Sequence, residues 1–168
     1  MGDTLGSWDK GIDYEAWMRR FIKDLNRTGS PNLVLAIIQL RNGLRLSEAV
    51  RAYKHFLKYR SLEFEIEVSK RRRSEKRLVV IPEFLLSWVD SCIEDLHKDD
   101  KQIYTRYRLY LRRKYRINTH SLRYSFITYL LREGVSPSIV AKITRHRRLD
   151  YILTYTQEKV AEEVLRSI

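Results

Sequence analysis

Leu62-Glu63-Phe64-Glu65-Ile66-Glu67-Val68 alternates apolar and acidic residues without a break. A period of two places Leu62, Phe64, Ile66 and Val68 on one face of a strand and the glutamates on the other. Arg77 to Ile81 is a second strand, rich in β-branched residues, and the charged segment Ser69 to Lys76 between them reads as the turn of a hairpin. On both sides of this stretch the apolar period is helical. The fold class predicted is therefore mainly α with a small β-hairpin or sheet (α+β).

Upstream, Tyr14, Trp17, Met18, Phe21, Ile22 and Leu25 mark one face of a packing helix that stops near Thr28-Gly29-Ser30-Pro31. A second helix is predicted from Asn32 to about Asn42, with Gly43 as its stop, and a third from Ser47, its expected N-cap, to about Phe56. Downstream, Pro82 opens a predicted helix carrying Phe84, Leu85, Trp88, Val89, Ile93 and Leu96 on one face. A basic, Tyr-rich helix follows over Ile103 to Tyr115, then helices over Ser121 to Glu133, Ser136 to Thr144 and Asp150 to Ile168. Gly134-Val135 and the basic turn Arg145 to Arg148 separate the last three. No repeat or low-complexity linker divides the chain, so residues 1–168 are expected to form one domain.

The 33 Lys and Arg residues against 21 Asp and Glu leave a formal charge of +12. Such a field attracts polyanions, and nucleic acid is the partner it favours over a merely basic surface. Cys92 is the single cysteine, which leaves no intramolecular disulfide and no Cys-based zinc site, and a packing role is expected for it. The apolar run Leu33 to Leu40 is much shorter than the roughly 20 residues of a membrane span, and the acidic, Trp-containing start is no signal peptide. A soluble, intracellular protein is expected, in the cytoplasm or in the host cell of a virus or plasmid.

Several residues stand in a telling order. Gly43-Leu44-Arg45-Leu46-Ser47-Glu48 lies at a helix-to-helix turn, Lys70 ends a strand, and His120-Ser121-Leu122-Arg123 starts a helix. His146 lies in a turn, with Tyr155 beyond it. Taken singly each is weak evidence. Arg45 could cap a helix or pair with Glu48, either histidine could be structural, and a tyrosine on a helix is more often core. The order as a whole resembles the tyrosine recombinases, or phage-type integrases, over about Leu33 to Gln157. The high Arg, Lys and Glu content also fits a thermophilic archaeal virus or plasmid integrase.

The resemblance implies that Arg45 and Arg123 grip the non-bridging oxygens of a scissile phosphate. A guanidinium suits this role because its fixed fork of donors holds phosphate oxygens bidentately and stays charged. His120 stands three residues before Arg123, at a helix start where backbone N–H groups already favour an anion. By resemblance His120 hydrogen-bonds the phosphate or assists proton transfer, and His146 donates from the opposite side. Lys70 takes the place of the family's hairpin lysine, which protonates the departing 5′ oxygen, with Lys76 as a credible substitute. Tyr155 takes the place of the nucleophile. Its rival Tyr151 lies four residues away on the same helix face, and the spacing from His146 decides for Tyr155.

The chemistry so implied is cleavage and rejoining of double-stranded DNA through a 3′-phosphotyrosyl link, with no metal and no other cofactor. Arg71, Arg72, Arg73, Lys76, Arg145, Arg147 and Arg148 are expected on DNA phosphates, together with Arg77 and the stretch Arg112 to Arg116. Family members usually carry a separate N-terminal clamp domain, and the chain is expected to be the catalytic half alone. The apolar positions Val160, Ala161, Val164 and Leu165 either pack on this core or exchange onto a neighbour. The second arrangement would give a DNA-dependent homo-oligomer, a tetramer on paired sites. Two other readings are a type IB topoisomerase and a non-catalytic DNA-binding module descended from a recombinase.

Overall fold

The computed structural model describes residues 13–69, 74–146 and 161–168. Helix α1 spans Tyr14–Thr28 and α2 spans Pro31–Asn42. The start of α2 is set locally: the Ser30 hydroxyl accepts the Asn32 N–H at 3.3 Å, and Pro31 occupies a position that needs no N–H donor. Residues 33–40 of α2 are buried on every face. A helix apolar all round belongs in an interior, and α2 is packed by α1, by α3 (Leu46–Tyr59) and by α6 (Thr119–Arg132).

Strands β1 (Glu63–Glu67) and β2 (Lys76–Val80) pair antiparallel, with Glu63 opposite Val80 and Glu67 opposite Lys76. Ile66 and Val79 point into the core while Glu63, Glu65 and Glu67 face solvent, as the alternation predicts. β1 lies on α3 and β2 on α2, which places the hairpin at one edge of the helical body.

The segment after Pro82 departs from the long helix expected there. It is a 3₁₀ stretch at Glu83–Trp88, one α turn at Val89–Cys92 (α4) and a second 3₁₀ stretch at Ile93–His97. Ser87 donates its hydroxyl to the Phe84 carbonyl and Ser91 to the Trp88 carbonyl, three residues back in each case. These bonds compete for the carbonyls an α-helix would use and favour the tighter winding. The apolar face survives, with Leu85, Val89 and Cys92 in the core.

Helix α5 (Asp100–Tyr115) begins earlier than its apolar period suggests, because Asp99 accepts the Lys101 N–H and Gln102 accepts the Asp99 N–H. Helix α6 likewise starts at Thr119, with Asn118 accepting the Ser121 N–H at 2.9 Å. α7 (Pro137–Thr144) follows, and Phe126, Ile127, Leu131 and Val140 form a small second core between α6 and α7. Residues 161–167 are helical. Their apolar Val164 and Leu165 are 55% and 72% exposed, so this segment leaves its apolar side uncovered. Among the described residues no helix is long and apolar enough to cross a membrane.

Candidate active site

The turn joining α2 to α3 is held from several directions. Gly43 adopts φ +61°, a left-handed conformation that costs glycine little, and its missing side chain leaves room for the Phe126 ring. Three successive carbonyls of the turn are then taken by side chains from different elements. Arg77 of β2 donates to Asn42 O at 2.6 Å, Arg123 of α6 to Gly43 O at 2.5 Å, and Gln39 of α2 to Leu44 O at 2.9 Å. Gln39 also donates to Thr119 O at 3.3 Å and accepts from the Tyr107 hydroxyl at 2.6 Å. Asn42 adds both polar atoms to the Val80 backbone at 2.8 Å. The start of α3, the hairpin and the start of α6 are thus fixed to one another through buried polar contacts.

Arg45 follows as the N-cap of α3, with extended backbone angles, and this corrects the expectation that Ser47 caps the helix. The cause lies in Glu48, which reaches back from the first turn to accept the Arg45 N–H at 3.1 Å. Ser47, inside the helix, hydrogen-bonds the Ser69 hydroxyl instead. The Glu48 carboxylate is fully buried and also takes the Arg45 guanidinium at 2.8 Å and the Ser69 N–H at 3.1 Å. Burial alone would raise its pKa, but the Ser69 N–H and Arg45 outweigh that and hold it below the ordinary value. Arg51 donates to Glu67 O at 2.5 Å and to Ser69 Oγ at 3.1 Å, so the end of β1 is tied to α3 next to Arg45.

Arg123 is 3% exposed. Besides Gly43 O, its guanidinium reaches Thr144 O at 3.2 Å and the His146 ring at 3.0 Å. His146 is held by its own N–H on Ala141 O at 3.2 Å and by Thr144 Oγ1, 3.0 Å from Nδ1. Arg145, between them, caps α7 at φ +58° and offers its carbonyl to Arg45 at 3.5 Å.

Arg45, Ser47, Ser69, His120, Arg123 and His146 together line an open pocket of about 300 Å³, and among the described residues no carboxylate belongs to its lining. Arg45 and Arg145 are about 100 positions apart in the chain and meet here only through the fold. Glu48 sits behind the pocket against Arg45, with Arg123 and Arg77 both within its electrostatic reach. Burial, with Arg45 alongside, brings the Arg123 pKa down to about 9, and burial brings Arg77 to about 10. Buried positive charge therefore exceeds buried negative charge at this spot, which is the condition an anion relieves.

The structure brings Arg45, His120, Arg123 and His146 together, as the sequence order suggests. Lys70, Arg71, Arg72, Arg73, Arg147, Arg148, Tyr151 and Tyr155 lie outside the described residues. Lys76 is exposed on β2 opposite Glu67 and is not part of the pocket lining. Arg77, expected on DNA with the rest of the basic hairpin, is instead 2% exposed. It shares the inward parity of Val79 and Ile81, and that parity was the signal for its burial. Arg145 is half-buried, its Nε 3.5 Å from Glu75. Gln39 and Asn42 went unnoticed in the sequence. Amides within and at the end of a helix whose middle is apolar were the available sign, because buried amides must find partners.

The sequence pattern of the phage integrase family matches residues 14–162. Among curated proteins, "Putative integrase ORF241" of Acidianus two-tailed virus is 35% identical, the match covering 99% of this chain and 71% of that protein. An uncharacterized protein of Methanocaldococcus jannaschii is 31% identical over 97% of this chain and 89% of its own length. "Tyrosine recombinase XerA" of Thermococcus onnurineus is 27% identical over 89% of this chain and 58% of its own. No solved structure matches the chain significantly.

Proposed function

The chain belongs to the phage integrase family of tyrosine recombinases, and from that premise we propose that it cuts and rejoins duplex DNA with Tyr155 as nucleophile. The observation that carries the reading is the pocket where Arg45, His120, Arg123 and His146 converge, with no carboxylate in its lining among the described residues. Guanidiniums and imidazoles around a space that admits a phosphate are suited to an anion whose charge grows as phosphorus becomes pentacoordinate.

In the proposed step the Tyr155 oxygen attacks phosphorus in line with the 5′ oxygen. The Tyr–O–P bond forms, the P–O5′ bond breaks, the phenolic proton passes to His120, and Lys70 protonates the departing 5′ oxygen. The reverse step uses the same groups, so the energy of the broken phosphodiester is kept in the tyrosyl link. A free tyrosine has a pKa near 10, and the excess positive charge around Arg45 and Arg123 favours its phenolate. His146, oriented by Thr144 and Arg123, donates to a non-bridging oxygen. Glu48 and Gln39 act as positioning residues for Arg45 and the turn that carries it.

The test is incubation with nicked suicide DNA in EDTA. Wild type and Tyr151→Phe should form a protein–DNA adduct stable to denaturation, and Tyr155→Phe should form none. An adduct from Tyr155→Phe, or none from wild type on DNA that it binds tightly, would overturn the reading.

A further inference from the structure

A second groove of about 530 Å³ borders the pocket and shares Leu46 and His120 with it. The far wall of this groove is one face of α5. Thr105, Arg108 and Arg112 follow one another at spacings of three and four residues, so they stand in a row, about 10 Å long at 1.5 Å per residue. The adjoining face of α5, Ile103, Tyr107, Leu111 and Tyr115, is buried in the core, which fixes the direction the row faces. Asn118 and Thr119, at the start of α6, form the near wall.

Among the described residues no carboxylate lines this groove, and neither Arg108 nor Arg112 takes part in an ion pair. Arg106 on the same helix shows the contrast, since its guanidinium is committed to Asp95 at 2.8 and 2.9 Å. Two guanidiniums aligned along a groove that shares Leu46 and His120 with the pocket of Arg45 and Arg123 are placed for an external anion.

We propose that Arg108 and Arg112 seat the backbone phosphates that flank the scissile one, so that the cleaved strand leaves the pocket past His120 and runs along α5. The proposal rests on the DNA-cleaving reading above. These contacts carry no base information, and they set the register of the strand, hence which phosphate comes to rest between Arg45 and Arg123.

The experiment measures binding of a random-sequence 24-bp duplex to the full chain as a function of salt, a readout that requires no cleavage. Each phosphate contact contributes about 0.9 to the slope of log K against log salt. Arg108→Gln/Arg112→Gln should lower that slope by about 1.8 with an unchanged thermal melt, because both side chains are exposed and glutamine is a good helix former. Arg113→Gln/Lys114→Gln removes the same charge from two residues that the sequence groups with Arg112 but that line a separate cleft with Asn32 and Tyr110, and it should lower the slope by less than about 0.5. Equal losses from the two pairs, or none from the first, would overturn the phosphate track. Failure of the wild type to bind duplex even at low salt would overturn the DNA reading with it, and normal binding without a Tyr155 adduct would overturn the chemistry alone.

Discussion

Gly43→Ala should damage stability and the site together, for two separable reasons. The first is backbone: at φ +61° a Cβ costs about 1–2 kcal/mol. The second is packing, since an added Cβ would overlap the edge of the Phe126 ring, and such overfilling costs about 1–3 kcal/mol. A sum of about 3 kcal/mol corresponds to a fall in Tm of roughly 6–12 °C for a chain of this size. Gly134→Ala is the matched control, with φ +88° but nothing within 4 Å of the new Cβ, so only the backbone cost of about 1–2 kcal/mol applies. Because Gly43 O accepts from Arg123, the shifted turn should also weaken phosphate-analogue binding, which Gly134→Ala should leave unchanged. Urea unfolding of both variants and of Gly43→Ala/Phe126→Leu measures this. Equal costs for the two alanine variants, or no recovery on trimming Phe126, would refute the picture of a turn wedged against that ring.

Asp95 is 2% exposed and its pKa is lowered to about 2, since bonds from Arg106, Tyr53 and Lys98 outweigh the effect of burial. A depressed carboxylate pKa contributes stability that is present above the ordinary value near 4 and is lost as pH falls toward 2. Asp95→Asn should therefore be about 2 kcal/mol less stable at pH 7, with the gap closing across pH 4 to 2 in urea titrations. Arg123→Lys cannot reproduce the contacts to Gly43, Thr144 and His146, and adduct formation should slow by about 10²-fold or more in single-turnover assays. Glu48→Gln leaves the buried guanidiniums without their carboxylate, so its Tm should fall, and millimolar vanadate should recover more of that loss than it adds to wild type.

What was readable in the sequence follows from periodicity. The helical stripe of α1, the apolar run of α2, the alternation of β1 and the glycine stops at Gly29 and Gly43 are local signals, and local signals survive folding. The four pocket residues were readable because the motifs that carry them resemble a family pattern. The broken helix after Pro82 was not readable, because Ser87 and Ser91 shift a near-even balance between two windings by single hydrogen bonds. Ser47 looked like a cap by composition, and only the contact of Glu48 with Arg45 and Ser69 moves the cap back to Arg45. Gln39 illustrates the same limit. Its partners Leu44, Thr119 and Tyr107 come from three elements, so its role exists only once α2, α5 and α6 have packed.

If one tyrosine oxygen becomes joined to DNA, its location can be read directly. Adduct formed on nicked suicide DNA in EDTA would be trimmed with nuclease and trypsin, and the peptide bearing the residual nucleotide sequenced by mass spectrometry. A phosphotyrosyl linkage at Tyr155 is expected, whereas a linkage at Tyr151, at a serine or at a lysine would contradict Tyr155 as the nucleophile.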